Sequence, residues 1–251
     1  MNSERPTYRG RPDGGRTGAG GPRIAAPVID DDVTGNELDR PVLAELRTLP
    51  TDLATAVARH LVMVGRLLEE EPQAAWEHGK AATRLASRVS MVREATGLAA
   101  YRCEEYAAAL ADLRAARRMS GDSSMLPVIA DCERALGRPL RALELAGSPE
   151  ADRLDRASRV ELRIVAAGAR TDLGQLDAAL VTLQCPELRG KSQSSWAARL
   201  RYAYAEALLG LGREDESLEW FGLAADADVD EETDAAERAG RSNDVTFFDE
   251  D

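Results

Sequence analysis

An all-helical chain made by repeating one helix pair is the fold class that three observations predict. Apolar residues make up 44% of the 251 residues and aromatic residues only 4%, so the buried volume comes from Ala, Leu and Val, which suits closely packed helices better than strands. The stretch Arg93 to Arg117, REATGLAAYRCEEYAAALADLRAAR, reads as two short helices joined by a tight turn. Anchored on Ala109, the same slot returns at Trp76, Ala142, Ala179 and Ser217, at spacings of 33, 33, 37 and 38 residues, a period near 34.

Within that stretch Gly97 and Ala100 are small where two helices approach, and Cys103-Glu104-Glu105 forms the turn. Ala109, Leu113 and Ala116 fall at i, i+4 and i+7, one face of a second helix. Gly137-Arg138-Pro139, Gly174-Gln175-Leu176 and Gly212-Arg213-Glu214 supply the matching turns, and Ala146, Leu183 and Phe221 follow their slots by four residues as Leu113 follows Ala109.

In chain order, residues 1 to 23 hold five arginines against Glu4 and Asp13, a local charge of +3, with six glycines and three prolines. So little apolar content cannot offset ordering entropy, so disorder is expected. Two readings stand for this segment: an RNA contact, with Tyr8 stacking and Arg5, Arg9, Arg11, Arg16 and Arg23 meeting phosphates, or a solubilising tail. The acidic stretch Asp30 to Asp39 reads as linker, so residues 1–40 form a tail and linker. Pro41 then opens a short helix, VLAELRTL, at a position where its missing N–H is harmless. Pro50-Thr51 separates it from a helix with Leu53, Val57, Leu61, Val64 and Leu68 on one face, and Glu70-Glu71-Pro72 turns into the Trp76 helix. His60 and His78, the two histidines of the chain, sit on these antiparallel neighbouring helices, where they could come near each other, with packing or solvent contact as the expected role.

Gly121 to Ser124 closes the second unit, and the third runs from Met125 to Ala146. Ser148, Pro149 and Glu150 have the chemistry of an N-cap, a first helical residue and an acid at the positive helix end, so a helix is expected to start there. The fourth unit spans Ser158 to Leu183, with an irregular connection from Cys185 to Ser194. The fifth has the densest aromatic content: Trp196, Tyr202, Tyr204, Trp220 and Phe221.

A Gly-turned helix pair of about 34 residues with Ala and a bulky residue four apart on the second helix resembles the tetratricopeptide repeat (TPR). The match is clearest at Gly97 to Ala116, at DCERALGRPLRALELA (Asp131 to Ala146) and at Ser195 to Ala224. The first unit departs from it with Trp76 where the family prefers Ala. The resemblance implies an all-α, right-handed α-solenoid of about five divergent TPR-like repeats over residues 41–228. Phrases such as RHLVMVGRLLEEEPQAAWEH resemble a group of small actinobacterial TPR proteins of uncharacterised function. The family binds peptides on the concave face of its first helices, which here implies Glu94, Tyr101, Asp131, Arg134, Arg199, Tyr202 and Glu206 as a groove for a protein partner. Residues 37 to 242 contain no Asn, so the carboxylate-clamp type that grips chaperone C-termini is not expected.

From Asp226 the chain carries eleven acids against Arg238 and Arg241, a local charge of −9. Asp226, Asp228, Asp230, Asp234 and Glu237 have calcium-loop spacing, but Glu231 stands where that loop needs Gly, so an acidic capping helix, EETDAAERAG, and a disordered tail over 229–251 are expected instead. Phe247-Phe248 near the end resembles a short docking motif. Cys103, Cys132 and Cys185 form no CxxC pair, which argues against a disulfide framework or zinc site. No stretch approaches the ~18 apolar residues of a membrane span, and no apolar leader opens the chain, so a cytoplasmic location is expected. Neither GxxxxGK[ST] nor a strand-linked GxGxxG occurs, and the histidines lack a Ser or Cys at motif spacing. The expectation is a non-enzymatic protein-interaction scaffold without cofactor, with an RNA- or ribosome-associated factor as the alternative.

Overall fold

A computed structural model describes residues 26–190 and 192–240, and among these the structure is all-helical. The helices are α1 (Arg40–Leu46), α2 (Thr51–Leu67), α3 (Pro72–Ala86), α4 (Ser90–Arg102), α5 (Tyr106–Ser120), α6 (Leu126–Ala135) and α7 (Pro139–Ala146), then α8 (Arg156–Asp172), α9 (Leu176–Leu183), α10 (Ser195–Gly210), α11 (Glu214–Ala225) and α12 (Ala235–Arg238). Five successive pairs, α2/α3 through α10/α11, pack internally, and each pair also touches the next. Arg93 meets Asp112 while Gly97 abuts Ala109 and Leu113, so α4 and α5 run antiparallel. The pairing of Ala205 with Ser217 and of Arg201 with Leu223 gives α10 and α11 the same relation.

The repeat is visible in backbone geometry. Each second helix starts one residue after a position whose ψ lies between 55° and 64°: Glu71, Glu105, Arg138, Gln175 and Arg213. Before four of these stands a left-handed residue, Glu104 at φ 59° and Gly137, Gly174 and Gly212 at 71° to 73°. In those four turns the N–H of Glu105, Arg138, Gln175 and Arg213 donates to the carbonyl five residues back, at 2.9 to 3.0 Å. These are Schellman closures, which need a left-handed residue to satisfy the last carbonyls of the first helix. The first pair closes differently, with Glu71 N–H donating to the Leu67 carbonyl at 2.8 Å.

The slot comes three residues after each second helix begins. Ala109, Ala142, Ala179 and Ser217 occupy it, all essentially without solvent exposure. In α3 that position is Ala75, not Trp76: Ala75 is fully buried, whereas Trp76 is half-buried with the Lys80 ammonium 4.0 Å above its ring. The first unit therefore has the small residue that it seemed to lack. Gly79, four residues later, lies where a Cβ would meet Thr96 at 3.0 Å.

Three other expectations are corrected. Ser148-Pro149-Glu150 does not start a helix; a 3-10 turn (Ala151–Arg153) follows, and α8 starts at Arg156, where Asp155 accepts from the Ser158 N–H at 2.9 Å. The expected linker is not free of the body, since Val33 is buried with Val62 and Met63, and Arg66 bonds Asp32 at 2.8 Å. The capping helix is only the four residues of α12. It follows a loop in which Asp228 accepts from Glu232 and Thr233, and Glu231 sits at φ 52°. Among the described residues no group of three or more His, Cys, Asp or Glu is placed to hold a metal, and all three cysteines are free thiols. No described helix is long and apolar enough to cross a membrane.

The two histidines do meet. His60 on α2 and His78 on α3 are buried with their Nδ1 atoms 3.0 Å apart, so one ring donates and the other accepts. Burial, with the charge of its partner next, pushes His60 down to about 4, and burial lowers His78 as well. Because the folded value lies below the unfolded one, this contribution is complete above about pH 6.5 and is lost as pH falls through about 4. Denaturant titrations should show a loss on the order of 3 kcal/mol across that window, and the double variant His60→Leu/His78→Leu should lack this step.

Glu104 is the one non-glycine residue among the four left-handed turn positions, and it is exposed. An L-residue there carries a conformational cost of roughly 1 kcal/mol. Glu104→Gly should therefore leave stability unchanged or raise it by up to ~1 kcal/mol, whereas Gly174→Glu should lower it by about the same amount, both read from chemical denaturation midpoints.

Candidate functional site

The first helices α4, α6, α8 and α10 contribute one row of side chains, and a cavity of about 490 Å³ opens along it. Its floor is apolar: Ile164, Val165, Ala167 and Gly168 of α8, Leu176, Ala179 and Leu183 of α9, and Ala203, Ala207 and Gly210 of α10. Small residues, Ala167, Gly168, Ala203, Ala207 and Gly210, face it from α8 and α10. Gly168 has no Cβ, and one placed there would stand 3.4 Å from the Arg134 side chain.

Five of the seven expected groove residues line this one cavity: Tyr101, Asp131, Arg134, Tyr202 and Glu206. The sixth, Arg199, holds its wall through Glu161, which accepts from Nε at 3.0 Å and from Nη2 at 2.6 Å. Glu94 is not brought to it. It lies half-buried two turns before Tyr101 on α4, and burial together with the carboxylates of Asp122 and Glu45 raises its pKa. Arg5, Arg9, Arg11, Arg16 and Arg23 lie outside the described residues.

The rim is stitched from helix to helix. Tyr101 donates to Asp131 at 2.6 Å, Arg134 Nε donates to the other Asp131 oxygen at 2.9 Å, and Arg134 Nη1 reaches Asp172 of α8 at 3.3 Å. Arg199 bridges Glu161 and Glu232, the latter at 2.6 Å. Arg238 of α12 donates to Tyr202 at 3.0 Å and bonds Glu206 at 2.5 Å, with its guanidinium 4.3 Å from the Phe221 ring centre. Burial and then the hydrogen bond to Asp131 hold the Tyr101 hydroxyl well above its usual range. Burial opposes the charge on Arg134 and Arg199, but their carboxylate partners outweigh it and raise both. These groups are therefore structural ties as well as a polar rim.

Counting back from the slots locates the residues that the sequence reading passed over. Eleven residues before a slot stand Asp131, Gly168 and Glu206; fifteen before stand Glu94, Ile164 and Tyr202; eight before stand Tyr101, Arg134 and Thr171. The α8 members were legible by that rule. Arg238 was not, because α12 lies outside the repeat.

A second cavity of about 490 Å³, between the turn after α5 and the loop before α8, is lined by Arg117, Asp122, Ser123, Glu150 and Arg153. It lacks an apolar floor, and Arg117 already faces Glu150 at 3.5 Å. Comparison of the chain with family models, with curated proteins and with solved structures returned no match.

Tyr101→Phe removes only the hydroxyl that ties α4 to α6. A loss of roughly 1 to 2 kcal/mol is expected in denaturant unfolding, since the Asp131 carboxylate loses a charge-assisted partner. The double variant Tyr101→Phe/Asp131→Ala should be less than additive.

Proposed function

We propose that this protein is a non-enzymatic scaffold of five TPR-like helix pairs, wound as a right-handed solenoid, that holds a segment of a partner protein in the cavity along its first helices. The cytoplasm is its proposed place of work. The observation that carries the reading is the cavity itself. A cavity of about 490 Å³ with an apolar floor, bordered by a polar rim of ion pairs, has the form of a recognition site rather than a packing gap. Rim groups that are already oriented add little ordering cost on binding, and the apolar floor supplies affinity. The repeated turn geometry and the buried slot in every pair support the repeat reading.

The test fills the floor. Full-length protein is used for affinity capture from native cytoplasm beside Ala207→Trp, with mass spectrometry of the eluates and ribonuclease treatment in parallel. A partner held by the wild type, insensitive to ribonuclease and at least about tenfold depleted with Ala207→Trp at an unchanged melting temperature, is the expected result. Equal retention by both proteins would overturn the groove reading, and loss of all partners after ribonuclease would favour RNA contact instead.

A further inference from the structure

We infer that the cavity has an occupant within the chain: residues 241–251, RSNDVTFFDED, with Phe247 and Phe248 as anchors that compete with a partner segment. The inference rests on the groove reading above and adds its regulation. Three observations carry it. The described chain ends at Gly240, two residues after Arg238, whose guanidinium touches Tyr202 and Glu206 of the cavity wall. The last segment therefore starts close in sequence to a side chain that contacts the cavity wall. Its length is sufficient, because the seven residues from Gly240 to Phe247 span up to ~24 Å when extended and the sixteen residues of α10 measure about the same.

The cavity also has what the segment lacks. Phe247 and Phe248, with Val245, are the only large apolar residues after Gly240. Burying aromatic side chains on the floor of Ile164, Ala203 and Ala207 removes surface worth about as much as a core residue each. A segment tethered a few residues away reaches an effective concentration on the order of millimolar, so even a weak contact in cis is populated.

Charge decides the character of the contact. The rim holds five carboxylates, Asp131, Glu161, Asp172, Glu206 and Glu232, against the arginines Arg134, Arg199 and Arg238. The segment itself carries Arg241 against Asp244, Asp249, Glu250 and Asp251. Like charge opposes docking, so the apolar pair drives it, and added salt strengthens it by screening. A contact made through the groove arginines would weaken with salt instead.

Hydrogen-exchange mass spectrometry on the full chain and on its Phe247→Ser/Phe248→Ser variant tests this. Both substitutions lie beyond the described fold, and equal melting temperatures check that it is intact. The expected result is faster exchange of α8 and α10 amides in the variant, with wild-type protection growing from 0.05 to about 0.5 M salt. A synthetic peptide of residues 241–251 should bind the variant roughly tenfold more tightly than the wild type, whose own segment competes. Equal exchange in the two proteins, with no peptide binding, overturns the inference. So does protection that depends on protein concentration, which would place a second copy's segment in the cavity. Loss of protection on replacing Arg5, Arg9, Arg11, Arg16 and Arg23 by Ser would assign the cavity to the N-terminal segment and overturn it as well. If these arms fail while Ala207→Trp still abolishes partner capture, the groove reading stands without its internal competitor. If Ala207→Trp changes neither, both fall.

Discussion

Close approach within each helix pair is the constraint on which the rest depends. A first helix, a three-residue reversal and a second helix can pack only if the turn ends the first helix cleanly and the second presents a small side chain at the crossing. The left-handed residue and the five-residue return hydrogen bond meet the first condition in four pairs, and the buried Ala or Ser slot meets the second in all five. Where the approach is tightest the first helix gives way too: a Cβ on Gly97 would stand 2.7 Å from the Leu113 Cγ. With the crossing fixed, the residues four after the slot, Leu113, Leu183 and Phe221 among them, are buried between helices rather than displayed.

Packing within pairs leaves the contacts between pairs to be specified, and polar groups do much of that work. Glu133 of α6 is almost completely buried, ion-paired both to Arg114 of α5 and to Arg138 at 3.2 Å. Such a group is tolerable only with its partners present, so it penalises alternative registers more than it adds stability. The Tyr101–Asp131–Arg134–Asp172 chain and the Arg199–Glu161 pair act likewise between first helices. The rim side chains of the cavity are thus paired with one another across neighbouring helices. Under the proposed groove function, affinity would depend on what fills the floor, and the polar pattern would select the register of the ligand.

The sequence showed the helix pairs, their turns and most of the first-helix row, because those features repeat and Gly, Pro and Ala mark them strongly. It failed where a feature occurs once or where two residues compete for one role. Trp76 stood beside Ala75, and periodicity alone did not reveal which of the two faced the crossing; the start of α3 at Pro72 decides it. Ser148-Pro149 has good capping chemistry, yet Asp155 with Ser158 caps the helix that forms. Val33 was hidden in an acidic stretch, and its burial comes from a tertiary contact with α2 that local composition does not carry. Arg238 could not be assigned to the cavity without knowing that the loop capped by Asp228 returns α12 to α10.

The cavity opens where the repeat departs from its own period. The first three slots, Ala75, Ala109 and Ala142, are 34 and 33 residues apart, and the next intervals are 37 and 38. Longer connections before α8 and α10, each with a 3-10 turn, and first helices of 17 and 16 residues against 10 in α6 supply the added residues, partly offset by second helices α7 and α9 of 8 residues against 15 in α5. The connections are anchored by buried Leu154 and Leu188, so the extra length is packed rather than loose. Relative to their slots, α8 and α10 begin seven and six residues earlier than α6, which carries Glu161 past its end, while Ile164, Tyr202 and Ala203 stand level with Pro127 and Val128. The added length therefore contributes the carboxylate that fixes Arg199 at the rim, while the rest of the first-helix lining is built from positions that every unit shares.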